Sequence, residues 1–403
     1  MKKYFPLLII AFLNIYCSRV HNNLSNVKYN ISTIDLTGID QLENSELNIS
    51  QIVDNLNVKY VKLETTEKSM VEVIFDSEIN NSNIFILNKS GLLMFDLNGK
   101  FIKKIGTYGK GPNEHLGILG FSCTDSLIAI ISNFTRKMLL YNSKGDFLKT
   151  FSVNVSAGKP NFINNSCMSI NRRFGDIYDN DYYITEIVKT TGDTIAIRYL
   201  RNEILKSKRL YVEANSQWYY NDTLYIKESL TDTIYTITNN SITPRFVLDM
   251  GKYKLPDDFL YNMKEKEKYG YKYITMVSAF ENCNCIYLIL NHNNKKKVAE
   301  YNKRTKQTKY YYLNGSQVNK YGNVVGGGFK NDIDGSFPVE NLRSLKNNKL
   351  LTILYPYNMN EKKLNPKIEN AVEINEKKKD EFQKLMKIMN IEDNPVLLIY
   401  TVR

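Results

Sequence analysis

The 403-residue sequence holds one tryptophan, three histidines and five cysteines, and each scarcity removes a class of protein. A single Trp218 argues against propeller repeats that carry a Trp-Asp pair in each blade. His21, His115 and His292 are too few and too scattered to supply the three clustered ligands of a zinc enzyme. No Gly-x-Ser-x-Gly elbow is present, although spacing alone leaves a Ser-His-Asp set open. After Cys17 the thiols are Cys123, Cys167, Cys283 and Cys285. No second pair stands at zinc spacing, and a direct bridge between Cys283 and Cys285 would be strained. An oxidising compartment would allow other pairs, but free, buried thiols are expected. The 3.6-residue spacing of a helical repeat array is missing. The one long apolar run, Phe5 to Tyr16, is too short to span a bilayer.

That run follows a basic Met1-Lys2-Lys3-Tyr4 and ends at Cys17-Ser18, which is the layout of a signal peptide. A cysteine there reads as the lipid-modified first residue of a bacterial lipoprotein. Tyr16 is larger than the residue usual before such a cysteine, and the alternative is a plain secretory signal. The expected organisation is a signal peptide over 1–16, a lipid-anchored tether with short lead-in elements over 17–56, and one globular unit over 57–403. Ile31 to Leu36 predicts a short strand and Asn48 to Leu56 a short helix.

Net charge is +12, but Lys and Arg are interspersed with Glu and Asp. A solubilising surface fits that mixture better than a nucleic-acid interface. The densest run, Glu376 to Glu381, has mixed signs and reads as a solvated helix face.

One unit occurs twice. Phe95-Asp96-Leu97-Asn98-Gly99-Lys100-Phe101 is echoed by Tyr141-Asn142-Ser143-Lys144-Gly145-Asp146-Phe147. Each copy reads as strand, tight turn with glycine, strand, and Asn98-Gly99 predicts a two-residue type I′ hairpin. The flanking runs, such as Ile84 to Leu87 and Leu92 to Leu97, are short and rich in branched and aromatic residues. A sheet of three or four such strands cannot bury its own apolar face, so neighbouring copies must stack around it. The fold class is therefore all-β: a six-bladed β-propeller with two short inserted helices, over 256–268 and 373–389. Val58 to Thr65 is expected to pair with Val396 to Arg403, closing the ring and removing an open edge. Later blades are placed at 181–200, 217–248, 285–313 and 342–355 with the final strand.

Val61-Lys62-Leu63-Glu64-Thr65-Thr66, Phe95 to Gly106 and Gly109-Lys110-Gly111-Pro112-Asn113-Glu114 carry a family likeness, as do Gly251 to Pro256, Asn331 to Gly335 and Asn394 to Leu397. Over roughly residues 50 to 403 the chain resembles the six-bladed β-propeller lipoproteins of Gram-negative gut-type bacteria, relatives of the NHL-type propellers. The weakly patterned third blade and Cys283-Asn284-Cys285 depart from that pattern. The resemblance implies a fold and an envelope location, and it carries no catalytic residue.

The candidate ligand-binding residues are Glu114, His115, Arg136, Trp218, Asp332 and Asp334, with Cys17 as the lipid anchor. Gly106 to His115 lacks the ending of a P-loop and reads as a crossover between blades; functionally, Glu114 and His115 would project near the axis. Trp218-Tyr219-Tyr220 is either packing between blades or a stacking platform for a sugar. Asp332-Ile333-Asp334-Gly335 is a fragment of a calcium loop, with Lys330 and Asn341 where ligands would be needed. A polar turn is the simpler reading, and no cofactor is implied beyond that open calcium alternative. The expected function is a monomeric, non-catalytic binding or scaffold propeller for a peptide, glycan or envelope protein. It would sit on the periplasmic face of the outer membrane. The alternative is a hydrolase or lyase acting on a glycan or lactone at the axis. Two or three convergent carboxylates with His115 or a bound metal would favour the enzyme; an open, aromatic-lined or plugged channel would favour binding.

Overall fold

A computed structural model describes residues 31–43, 46–132, 135–153, 157–172, 182–200, 215–228, 231–260, 262–319, 324–358 and 375–403. The signal region and Cys17 lie outside the described residues. Six antiparallel four-stranded sheets make a β-propeller. From the axis outward, blade one is Asp76–Ile79, Asn83–Asn88, Gly91–Asp96 and Phe101–Ile105. Blade two is Ile118–Cys123, Leu127–Ser132, Lys137–Asn142 and Phe147–Ser152. Blade three, the weakly patterned one, is Ala157–Phe162, Cys167–Arg172, Tyr182–Lys189 and Thr194–Leu200. Blade four runs Ser216–Tyr220, Thr223–Lys227, Thr233–Ile237 and Ile242–Asp249. Blade five runs Thr275–Glu281, Cys285–His292, Lys295–Asn302 and Thr308–Tyr312.

Blade six closes the ring. Its strands are Arg343–Leu345, Lys349–Leu354, Val396–Val402 and, outermost, Val53–Lys62 from the other end of the chain. Val58 pairs with Tyr400 and Lys62 with Val396, so the expected closure is present. The closing strand begins earlier than expected, because a bulge after Val53 carries the pairing across residues assigned to a helix; only Ile49–Gln51 forms a 3-10 turn. The leader expected to be a tether, 18–30, lies outside the described residues, and the described chain after it docks on the blades. Ser32–Asp35 adds to blade four as a parallel fifth strand, and the following loop crosses blade five, where Lys297 Nζ donates to Asp40 Oδ1 at 2.8 Å. Burial explains the docking, since Ile34, Leu36 and Ile39 are completely shielded from solvent.

Each seam between blades holds one apolar cluster. Val61, Ile86 and Leu397 lie between blades six and one, and Leu92, Phe121 and Ile130 between one and two. Ala129 and Met168 fill the next seam, Ile187 and Ile226 the one after. Trp218 with Leu288, and Phe280 with Leu398, complete the circle. This is how sheets too small to have cores of their own become stable.

The repeated hairpin is built differently from the expected type I′ turn. Only the glycine is left-handed, with φ +85° at Gly99 and +76° at Gly145, and a bulge follows in each copy. Asp96 Oδ1 accepts from the amides of Asn98 and Lys100, and Asn142 Oδ1 does the same for Lys144 and Asp146. That side-chain capping selects the wider loop. Asn221-Asp222, Asn293-Asn294 and Asn347-Asn348 do have positive φ at both residues of the pair. The inserted helices are shorter than expected. Asp257–Leu260 is 3-10 and Met263–Tyr269 is α; Glu376–Lys387 is α, with Phe382 buried. The thiols are free as expected, but Cys283, in a turn, is exposed rather than buried.

Candidate binding face

Strand order sorts the connections by length. Links between a blade's first and second strands are short, such as 80–82, 124–126, 221–222 and 346–348. Crossovers between blades, and links between second and third strands, leave from the opposite face. They include the long segments 63–75, 106–117, 250–274, 313–342 and 355–395. Loops of that length on a rigid frame are where propellers present variable chemistry.

The axis is blocked behind this face. Asn81 donates to Asp125, Asn347 to Asn81, and Asn221 to Asn348, tying together the short turns of blades one, two, four and six. Ser344 Oγ donates to the carbonyl of Tyr219 at 2.8 Å, joining the inner strands of blades four and six directly. Lys346 reaches the carbonyl of Cys123 and lies over the rings of Phe162 and Tyr219.

Above this plug lies an ion cluster from three blades. Asp76 pairs with Arg343 and, at 3.1 Å, with Lys159; Lys159 also meets Glu78 at 2.8 Å. Arg343 Nη1 donates to Ser77 Oγ at 3.2 Å, and Glu78 Oε2 accepts the Cys123 amide at 2.7 Å. Gly120 makes this crossing possible, because a Cβ there would meet Lys159 Cα at 2.8 Å. Burial works against the charged Asp76, yet Arg343 and Lys159 beside it hold its carboxyl below the usual range. Burial opposes the Lys159 ammonium as well, and Asp76 and Glu78 override it, raising its pKa. The Asp76 end of the cluster opens toward the crossover face, since Asp76 and Arg343 each begin an inner strand.

Beside it stands an aromatic ledge. Tyr355 Oη accepts the amide of Ile74 at 3.1 Å, and Tyr355 stacks on Tyr357 with centroids 5.2 Å apart. Phe75, Val73 and Tyr357 are all more than half exposed.

The expected site residues lie outside this cluster and ledge. Glu114 turns back into its own loop, where Oε2 accepts the Gly111 amide at 2.7 Å; a Cβ on Gly109 would collide with it. His115 is buried between Tyr108, 6.4 Å away edge-on, and Gly106. Burial, then Lys104, lowers its pKa. Neither residue projects at the axis. Arg136 is exposed in the blade-two turn on the crossover face, with φ +53°. Trp218 is buried and donates from Nε1 to Glu281 Oε1 at 2.9 Å, so its ring offers no open platform. Asp332 accepts from Ser50 N and Oγ, and Asp334 accepts the Tyr60 hydroxyl, so this acidic turn anchors the lead-in and closing strand. Among the described residues no group of three or more His, Cys, Asp or Glu is arranged to hold a metal ion. No described helix is long and apolar enough to cross a membrane. Sequence reasoning missed Asp76, Glu78, Lys159 and Arg343. The available signal was the alternation Phe75-Asp76-Ser77-Glu78, with acids on one side of an inner strand.

A propeller with a blocked axis and one loop-rich face defines the class. The chain belongs to the DUF4934 family, a domain of unknown function, whose model matches residues 31–401. No protein of curated function matches it in sequence. Among solved structures, it is similar to a Bacteroides fragilis protein described as exported, with TM-score 0.65 and 19% identity, over 92% of this chain and all of that one. A DUF4221-family member of Bacteroides vulgatus is similar at TM-score 0.45 and 13% identity, over 69% of this chain and 92% of that one. At 19% identity the likeness to the Bacteroides fragilis protein is one of fold.

Proposed function

We propose that the chain is a cell-envelope lipoprotein whose propeller is a non-catalytic binding or scaffold module, holding a peptide, glycan or partner protein on the crossover face. The observation that carries this is the asymmetry of the ring. All the long connections named above leave from one face, while Asn-rich turns and the Ser344–Tyr219 link fill the axis behind it. The axial carboxylates Asp76 and Glu78 are engaged by Arg343 and Lys159, and His115 lies apart from them against Gly106. The reading of the site as a binding surface follows from that arrangement.

The envelope address rests on the basic n-region, apolar run and Cys17. It agrees with the resemblance to NHL-like propeller lipoproteins and with the fold likeness to a protein described as exported. Lipid at Cys17 would hold the propeller, read here as a monomer, at the outer membrane, and the lack of acidic residues in Ser18-Arg19-Val20 favours its periplasmic side. Cys17→Ala is expected to move the protein from the membrane to the soluble fraction; retention in the membrane refutes the anchor.

The binding reading is tested with the mature chain against immobilised glycan and peptide panels. Alanine at exposed crossover-face residues Arg136 and Tyr357 should weaken capture. Alanine at Asp125 or Asn240, in turns away from that face, should leave it unchanged. Turnover of a bound probe, or sensitivity confined to Asp125 and Asn240, would overturn the proposal.

A further inference from the structure

We infer that the seam between blades six and one, at the crossover face, takes a carboxylate-bearing sugar of an acidic glycan. The inference rests on the binding-module reading and gives it a ligand chemistry.

Side chains alternate along a strand. Ile79 on the innermost strand of blade one packs into the cluster shared with blade six, and Ser77 on the same side accepts from Arg343. Ile74 packs against that same cluster, and Phe75, in the bend just before the strand, is exposed. Tyr355, following the second strand of blade six, meets this segment through the Ile74 amide. The seam thus presents the stacked Tyr355 and Tyr357 as one ledge against Ile74, with exposed Phe75 next in the chain and then Asp76, which Arg343 holds.

Arg343 has donors to spare. A guanidinium carries five N–H groups in a planar fork. Nη1 uses one on Ser77 and Nη2 one on Asp76, and 34% of the side chain is accessible. Lys159, with 27% of its side chain accessible, adds a second cation. Within the cluster the charges balance, Arg343 and Lys159 against Asp76 and Glu78, so recognition rests on the N–H donors that Arg343 keeps unused. A partly open guanidinium with N–H donors to spare suits a carboxylate. The chain's net charge of +12 favours approach of an anionic ligand.

Exposed aromatic faces beside such a fork are what a sugar ring requires: apolar C–H surface to stack on, and a charged substituent to fix its orientation. A peptide fits less well. Extended peptides add to an open sheet edge, and the outer strand of blade six is already covered. Asn375 Nδ2 donates to the carbonyl of Asn55 and Lys378 Nζ to that of Val58, laying the helix Glu376–Lys387 along it.

The test is calorimetric titration of the mature chain with uronate oligosaccharides (galacturonate, glucuronate and mannuronate) and their methyl esters. Peptides with free C-termini form a parallel arm. At least one uronate series should bind, with its ester weaker by about tenfold or more, as expected for loss of a charge-assisted contact. Tyr357→Ala should weaken acid and ester alike. Arg343→Lys should erase most of the preference between them. Tyr357 is exposed, so its variant reports even if Arg343→Lys perturbs folding, which a melting curve reveals. Equal binding of acid and ester, no uronate binding, or indifference to Tyr357→Ala overturns the inference. Peptide binding at this face without uronate binding overturns it while leaving the binding-module reading intact. Silence of every probe, in both arms, counts against both.

Discussion

Deleting Val396–Arg403 should abolish the folded state, and the size of the effect follows from burial. Val396 and Leu397 are fully shielded, Tyr400 is 1% exposed, and Leu398 and Ile399 are buried as well. At about 1.5–3 kcal/mol for each large apolar side chain, these five residues supply about 7–15 kcal/mol. Typical domains have about 5–15 kcal/mol in total. The deletion also strips hydrogen bonds from Lys349–Leu354 on one side and Val53–Lys62 on the other. A milder perturbation separates closure from mere loss of mass. Leu397 sits in the cluster between blades six and one, and Leu398 in that between five and six. Leu397→Ala and Leu398→Ala should each cost about 2–5 kcal/mol. Both should lower the urea midpoint of one cooperative transition. If the truncated chain melts cooperatively at an unchanged midpoint, or if Leu397→Ala unfolds blade one while the rest persists, closure by the chain ends is the wrong account.

Glu281→Gln should destabilise by about 3–5 kcal/mol, because it leaves Arg245 and Lys303 around a neutral group in a buried site; a change below 1 kcal/mol in chemical denaturation would contradict this. Gly99→Ala should cost more than Gly145→Ala. Both positions have positive φ, but a Cβ on Gly99 would meet the Lys62 carbonyl at 2.2 Å, whereas at Gly145 the nearest atom is the movable end of Lys103; equal melting shifts would refute the ranking. Burial lowers the pKa of both His115 and His292, so the folded state binds fewer protons than the unfolded one near their ordinary value of 6.5. This contribution is complete above that value and is lost as pH falls through the folded pKa values. The melting midpoint should therefore decline below pH about 6.5, and the double variant His115→Gln, His292→Gln should flatten the decline; a wild-type midpoint that rises on acidification would show the sign to be wrong.

The fold was legible where local chemistry decides it. Ile84 to Leu87 and Leu92 to Leu97 read as strands because they are apolar and short, and the final strand read as a partner because it would otherwise be an open edge. Turn type was not legible from Asn98-Gly99 alone. The outcome depended on Asp96, whose carboxylate holds the amides of Asn98 and Lys100. Ile31 to Leu36 read as a strand, but its parallel docking on Ile242–Asp249 is a long-range choice without a local signature. The axial cluster was hidden for the same reason. Asp76 and Arg343 are 267 residues apart, and nothing near either announces the other. Glu114 and His115 attracted attention as polar residues in a glycine-rich loop. The glycines there serve close packing, and both side chains are used within the loop and its seam.

The buried charges share a pattern that the apolar clusters cannot supply. Arg198, on the outer strand of blade three, pairs with Glu228 of blade four and lies 4.2 Å over Tyr235. Arg245, on the outer strand of blade four, pairs with Glu281 of blade five and lies 3.9 Å over Tyr225. In both cases a cation from one blade crosses the seam to an acid on the next. The two acids respond differently. Burial raises the pKa of Glu228 despite Arg198, while Arg245 and Lys303 together overcome burial and lower that of Glu281. Such pairs contribute little net stability compared with apolar residues of the same volume. They do penalise misplacement, because an acid without its partner would be stranded in a seam. Apolar faces of blades are interchangeable in kind: Ile and Leu will pack against Ile and Leu in any order. Ion pairs that differ from seam to seam give neighbouring blades an identity, and in a ring whose last blade is completed by the first part of the chain, stacking order and closure register must both be right.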